Sequence, residues 1–114
     1  MPAKPNAVGR LNEQALTELV RRLGAALNPR AIYLFGSHAY GTPDADSDVD
    51  LLVASDDVEL SQEDLDERGY RALRGLFLPI ELHIVGVQQF RQRAATSASF
   101  EHEVYTRGRV LYAA

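Results

Sequence analysis

Two aspartates separated by one residue, Asp48 and Asp50, begin an apolar segment and follow a Gly36-Ser37 pair after ten intervening residues. Because successive side chains of a strand alternate between its faces, carboxylates at these two positions point the same way. Carboxylate oxygens on one face suit Mg²⁺, which proteins commonly hold through one or two carboxylates together with substrate phosphates. The N–H groups of a turn can bind phosphate oxygens, and Gly36 has no Cβ to keep phosphates away. The pattern therefore indicates nucleotide chemistry.

A third carboxylate, Glu81, lies in a later alternating segment, on the face opposite its apolar side chains. If that strand neighbours the one carrying Asp48 and Asp50, the three carboxylates converge. Three carboxylates can hold two divalent ions about 3.5–4 Å apart, which clamps the attacking and leaving oxygens of an in-line displacement. In this scheme Asp48 and Asp50 bind metal and triphosphate, and Glu81 holds the metal at the nucleophile or accepts its proton.

Each part of the pattern also has an ordinary structural explanation. A Gly-Ser pair after a strand is usually a simple turn, and an Asp-x-Asp at the start of a strand is more often solvated than metal-binding. The combination at this spacing, between two apolar segments, is what favours a site. An outward charge is common on edge strands, which is the alternative for Glu81, and His83 on the same face is more often a solvated histidine.

The composition describes a single globular domain with a real core. The chain has 114 residues, 46% of them hydrophobic and 25% charged, which is close to the globular average. The net charge of −4 disfavours direct nucleic-acid binding, and the absence of cysteine excludes disulfides and thiolate metal sites. Because no apolar stretch approaches the ~20 residues of a membrane span and no signal peptide is evident, a cytoplasmic protein without membrane association is expected. Residues 1–10 are predicted to be a flexible tail, and residues 11–114 the domain.

Strand and helix patterns alternate along the domain, which predicts an α/β (or α+β) fold with a mixed sheet. The predicted elements are a helix capped by Asn12 and ended by Asn28-Pro29, a strand at Ala31–Phe35 covered on both faces, a turn and loop at 36–47, a strand at 48–55, a helix from Ser61 to near Phe77, a strand opened by Pro79, helical structure at 88–107 with a possible break at 96–99, and a last strand at 109–112.

One stretch of the sequence resembles the core motif of the DNA polymerase β-type nucleotidyltransferase superfamily. It consists of the Gly36-Ser37 pair, the ten residues after it and Asp48-x-Asp50 followed by an apolar run. The chain is most similar to the minimal nucleotidyltransferases (MNT), which are encoded beside HEPN-domain partners. The resemblance covers nearly the whole chain, including the strand of Glu81 and the closing segment 108–112. The third carboxylate of the family is commonly aspartate, and Glu81 departs from that pattern.

The resemblance implies a mixed-sheet nucleotidyltransferase that uses ATP and Mg²⁺, with two ions expected. Gly36 and Ser37 carry over as nucleotide-binding residues, and Asp48, Asp50 and Glu81 as metal ligands and catalytic residues. The resemblance further implies an antitoxin that transfers AMP to a tyrosine of a HEPN-domain RNase toxin. A domain of this size leaves little room for its own acceptor-binding domain, which is consistent with a protein acceptor.

Two other functions are compatible with the same residues. The chain could neutralise its partner by occlusion without catalysis, or it could modify a small-molecule hydroxyl such as that of an aminoglycoside. The apolar and aromatic residues near the end of the chain could form a partner interface or pack in the core; they are Phe100, Val104, Tyr105 and Tyr112.

Overall fold

The computed structural model describes residues 11–43, 47–57 and 59–114, so the tail predicted at 1–10 lies outside the described residues. These ranges contain five helices and four strands, which alternate except that two helices follow the third strand. In chain order they are α1 (Glu13–Leu27), β1 (Pro29–Phe35), α2 (Ser37–Tyr40), β2 (Val49–Ser55), α3 (Gln62–Ala72), β3 (Ile80–Gly86), α4 (Val87–Ala94), α5 (Phe100–Arg107) and β4 (Arg109–Ala113).

The four strands form one sheet in the order β3-β2-β1-β4. Strand β1 runs antiparallel to both of its neighbours, β2 and β4, whereas β2 and β3 are parallel. The predicted mixed sheet and α/β fold are therefore confirmed. Because β1 and β2 are interior strands covered on both faces, they are apolar almost throughout instead of alternating with polar residues.

Helices cover both faces of the sheet and create two cores. Helices α1 and α3 pack on one face, where Leu19, Leu23 and Ile32 are fully buried. Helices α4 and α5 cover the other face, where Leu52 and Val104 are fully buried. Within the described ranges, no helix is both long and apolar enough to cross a membrane.

Side chains identified in the sequence define the start and end of α1. Asn12 Oδ1 accepts the Ala15 N–H at 2.7 Å and supplies the N-terminal cap, which satisfies a backbone donor that has no partner within the helix. Asn28 adopts a left-handed conformation with φ 48° and ends the helix, after which Pro29 begins β1. Both predicted boundaries of this helix are confirmed.

The predicted end of the second long helix near Phe77 is wrong, because α3 ends at Ala72. Its predicted cap is present, since Ser61 Oγ accepts the Asp64 N–H at 3.1 Å. Beyond Ala72 the backbone tightens into bonds between residues three apart. Gly75 and Phe77 then take φ values of 91° and 57°, which a right-handed helix does not permit.

The segment predicted as turn and loop at 36–47 contains a helical turn, α2, formed when the N–H groups of Ala39 and Tyr40 bond to the Gly36 carbonyl at 3.0 Å. Residues 44–46 of this loop lie outside the described residues. The predicted break at 96–99 is confirmed as the corner between α4 and α5, and the predicted last strand as β4.

Candidate functional site

The turn after β1 has a backbone conformation that glycine alone adopts readily. Gly36 has φ 75° and ψ −154°, a region that costs other residues about 1–3 kcal/mol. Its carbonyl closes the first turn of α2. Among the described residues, the N–H groups of Ser37 and His38, the first two residues of that turn, have no acceptor. Such groups at the start of a helical turn can bind an anion.

The Asp50 carboxylate lies directly against Gly36. A Cβ built on Gly36 would stand 2.2 Å from Asp50 Oδ2, so only a residue without a side chain permits this approach. Across the sheet Asp50 is in register with Phe35 on β1 and with Glu81 on β3. The glycine turn, Asp50 and Glu81 are thus side by side on three adjacent strands. The strands that carry Asp50 and Glu81 are neighbours, which is the condition for the carboxylates to converge.

Negative charge accumulates around Asp50. Burial raises the pKa of the Asp50 carboxyl above its ordinary value, the negative charges of Glu81 and Asp48 raise it further, and His83 acts in the opposite direction. Asp48 immediately precedes β2 and is exposed. A divalent cation bound here would compensate the repulsion between these carboxylates. Carboxylate oxygens are also the hard donors that Mg²⁺ prefers.

Glu81 is directed towards a histidine as well as towards Asp50. Its Oε2 lies 3.6 Å from His83 Nε2, and more than half of the Glu81 side chain is exposed. Among the described residues, no three histidine, aspartate or glutamate side chains already form a metal-binding group. The donor set therefore fits Mg²⁺ in its chemistry, while closure around an ion requires side-chain rotation at Glu81 or Asp48.

Three aromatic rings border the acidic residues on the face covered by α5. The Phe35 and His83 ring centroids are 5.6 Å apart, and the Phe100 ring lies 5.2 Å from Phe35 and 5.3 Å from His83. Phe100 is 41% exposed. Sequence reasoning noted His83 beside Glu81 but did not associate Phe35 or Phe100 with it, because these residues lie far apart along the chain and meet only through the packing of α5.

Helix α5 also holds the turn that carries Ser37. The Arg107 guanidinium lies over the Tyr40 ring, with Cζ 4.1 Å from the centroid, which is a cation–π arrangement. The Tyr40 hydroxyl donates to Glu103 Oε2 at 3.4 Å. These contacts attach α2 to α5 and restrict the position of the glycine turn.

Residues 13–105 match the family model of the nucleotidyltransferase domain. The chain belongs to this nucleotidyltransferase family. The family resemblance drawn from Gly36-Ser37 and the aspartates is thereby confirmed, and the protein is a nucleotidyltransferase. A comparison with curated proteins finds no significant match.

Solved structures with the same fold include two toxin–antitoxin complexes. One, determined with AMP-PNP, is 28% identical over 91% of this chain and 75% of the other, with a TM-score of 0.60. The other is a mutant of the MntA-HpeT toxin–antitoxin, 25% identical over 91% of this chain and 75% of the other, with a TM-score of 0.55. In that mutant two aspartates, two positions apart, are replaced by glutamate, which is the spacing of Asp48 and Asp50. These neighbours are consistent with an MNT antitoxin.

A protein of Sulfolobus solfataricus, provisionally described as a nucleotidyltransferase, shares the fold. It is 20% identical over 80% of this chain and 82% of its own length, with a TM-score of 0.57. At this identity the similarity extends to the fold alone.

Proposed function

We propose that the protein transfers AMP from ATP, in the presence of Mg²⁺, to a tyrosine hydroxyl of a HEPN-domain toxin and thereby acts as its antitoxin. The observation that carries this proposal is the juxtaposition of Gly36, Asp50 and Glu81 on three adjacent strands. In a member of the nucleotidyltransferase family, that juxtaposition brings a phosphate-accessible turn against carboxylates that require a cation.

The residues of the site take distinct roles in this proposal. Ser37, through its N–H and hydroxyl groups, binds the β- and γ-phosphates, and Gly36 leaves room for them. Asp48, Asp50 and Glu81 would hold two Mg²⁺ ions, which would supply neutralisation of the phosphates and polarisation of the reacting oxygens. The tyrosine oxygen forms a bond to the α-phosphorus as the bond to the bridging oxygen of pyrophosphate breaks. Glu81 or solvent accepts the phenolic proton.

The aromatic border supports a phenolic acceptor. Phe100 is partly exposed, and it contacts His83, whose Nε2 is 3.6 Å from Glu81 Oε2. A tyrosine ring packed on Phe100 would present its hydroxyl on the side of the site where Glu81 lies. An aromatic pair of this kind contributes about 0.5–1.5 kcal/mol beyond the burial of its surface. An aminoglycoside has no aromatic ring with which to form such a pair.

The toxin partner is supported by the structural neighbours. Two of them are toxin–antitoxin complexes, and one was determined with the ATP analogue AMP-PNP. From those complexes we infer that this chain also has a toxin partner. The resemblance to MNT proteins supports a HEPN domain in that partner.

The decisive experiment incubates the full chain with α-labelled ATP, Mg²⁺ and the HEPN-domain protein encoded beside it, followed by mass spectrometry of the partner. We expect an added AMP on tyrosine that is lost when Asp48→Asn and Asp50→Asn are combined. The matched control combines Asp64→Asn and Asp66→Asn on α3, which removes the same charges at the same spacing away from the site. Absence of label, while an established pair is labelled in parallel, would exclude this transfer.

Neutralisation by occlusion is the second candidate. If the variant with both site aspartates replaced still suppresses the RNase activity of the toxin, the partner is inhibited by binding and the transfer is dispensable. Labelling of an aminoglycoside in place of the partner would instead assign a small-molecule acceptor.

A further inference from the structure

A second concave site lies at the opposite end of the same sheet face. It is a cleft of about 440 Å³, within the range of pockets that hold small ligands. Ala31 at the start of β1, Ala54 near the end of β2 and Val87 just after β3 contribute to its lining. The candidate nucleotidyltransferase site lies instead where β1 ends and where β2 and β3 begin, so the two sites are separate.

Three aromatic rings form one wall of the cleft. The Tyr33 and Phe90 ring centroids are 5.3 Å apart, and the Tyr105 ring lies 6.5 Å and 6.4 Å from them in edge-on arrangements. Tyr33 and Phe90 are buried, while Tyr105 is 59% exposed at the mouth. A planar ring entering the cleft would therefore meet aromatic surface at the base and at the entrance.

The Tyr33 hydroxyl in this wall has no hydrogen-bond partner among the residues that the structure describes. Tyr33 is only 7% exposed, and its hydroxyl makes no hydrogen bond to any residue of the described ranges. In those ranges no fully buried side-chain oxygen or nitrogen lacks a partner, so the hydroxyl is open to the cleft that Tyr33 lines. Burial and the neighbouring Tyr105 raise the pKa of the Tyr33 phenol, which keeps it a hydrogen-bond donor.

Two arginines line the cleft, and they differ in whether a described residue pairs with them. Arg30 lines the cleft, but its Nε is 3.0 Å from Asp56 Oδ2. Arg91 on α4 also lines the cleft, and within the described part of the chain its guanidinium has no ion pair or hydrogen bond. Arg91 is therefore the side chain of this lining that can pair with an anionic group of an occupant.

We propose that this cleft binds a small aromatic carboxylate. The ring lies against Tyr33, Phe90 and Tyr105, a polar atom of the ligand accepts from the Tyr33 hydroxyl, and the carboxylate pairs with Arg91. The inference is independent of the transfer reaction, because none of these side chains belongs to the site around Asp50.

The test is an NMR titration of the full, ¹⁵N-labelled chain with indole-3-acetate, a probe that joins one planar ring system to one carboxylate. We expect saturable shifts of the amides of Ala31, Ala54 and Ala95, with no change at Gly36. Indole-3-ethanol, which keeps the ring and lacks the charge, should bind about tenfold more weakly, the effect of one charged hydrogen bond. Unmoved cleft amides at millimolar probe would overturn the proposal.

Two variants locate the contacts. Arg91→Gln should weaken indole-3-acetate binding about tenfold, and Tyr33→Phe should weaken it several-fold while the urea unfolding midpoint stays near that of wild type. Arg68→Gln, an exposed arginine on α3, should leave the affinity unchanged. Equal binding by the wild type and Arg91→Gln would contradict the assignment. Shifts of the same amides by a partner protein, without any by indole-3-acetate, would make the cleft a protein contact and refute the small-ligand proposal.

Discussion

Replacing Gly36 by alanine tests how the candidate site is built. The new Cβ would lie 2.2 Å from Asp50 Oδ2 and 3.1 Å from its Cγ, far inside van der Waals contact. The backbone at this position has φ 75° and ψ −154°, which alanine strongly disfavours. The substitution therefore adds backbone strain and also forces the Asp50 carboxylate away from its position.

The two effects have different magnitudes and different readouts. Strain in this region costs about 1–3 kcal/mol, a large part of the 5–15 kcal/mol that holds a domain of this kind together. The carboxylate is the end of a rotatable side chain, so turning it aside adds little to the free energy of unfolding. It moves a proposed metal ligand by more than an ångström, however, and a displacement of that size lowers a transfer rate by about 10²-fold.

Urea unfolding followed by circular dichroism measures the first effect, and the rate of AMP transfer at saturating ATP measures the second. Gly75→Ala is the control for strain alone, because Gly75 has φ 91° and no atom of the described residues lies within 4 Å of an added Cβ. Gly24→Ala in α1 meets neither obstacle and should stabilise the protein by about 0.5–1 kcal/mol.

Three results would refute this reasoning. Gly36→Ala could be as stable as the wild type, which would deny the strained backbone. It could transfer AMP at the wild-type rate, which would mean that the added Cβ does not displace the Asp50 carboxylate or that Asp50 has no role in catalysis. Finally, combining Gly36→Ala with Asp50→Ala, which removes the carboxylate, should leave only the strain, and a much larger loss of stability would show another clash.

Three further predictions concern charge and packing. Folding raises the pKa of the Asp50 carboxyl, so its ionised form lowers the stability of the protein at neutral pH. Asp50→Asn should therefore raise the melting temperature, and this gain should shrink as the pH falls through the folded-state pKa of Asp50. Mg²⁺-ATP should no longer stabilise the variant. Phe100→Ala should raise the KM for the protein acceptor and leave that for ATP unchanged in steady-state assays. Arg93→Ala leaves the buried Glu101 carboxylate without its 2.8 Å partner and should cost about 1–3 kcal/mol in urea unfolding, against less than about 1 kcal/mol for Arg71→Ala, whose pair with Glu67 is exposed.

Each of these has a contradicting outcome. A lower melting temperature for Asp50→Asn at neutral pH would mean that the carboxylate stabilises the free protein. A change confined to the KM for ATP would place the nucleotide base, not the acceptor, on Phe100. Equal losses for Arg93→Ala and Arg71→Ala would show that burial of Glu101 has no energetic consequence.

Local residue choices predicted several elements well. Asn12 and Asn28-Pro29 define α1 because capping and left-handed termination are local interactions between residues close in the chain. The predicted end of α3 near Phe77 is wrong because Leu73 and Leu76 continue the apolar spacing, whereas the backbone turns at Gly75 and Phe77. The sequence pattern does not reveal the helical turn at 37–40, because a single turn has too few residues to show a period.

The sequence by itself determined the family and the residue types of the candidate site. These are a glycine turn, two aspartates at strand spacing and a glutamate on a later strand. These signals depend on residue type and short spacing, which folding does not alter. Only the tertiary structure decided that Asp50 contacts Gly36 and lies in register with Glu81, since register depends on how β1, β2 and β3 pair. Tertiary packing also places Phe100 against His83 and forms the cleft beside Tyr33. Such contacts join residues far apart in the chain, so no periodic pattern in the sequence predicts them.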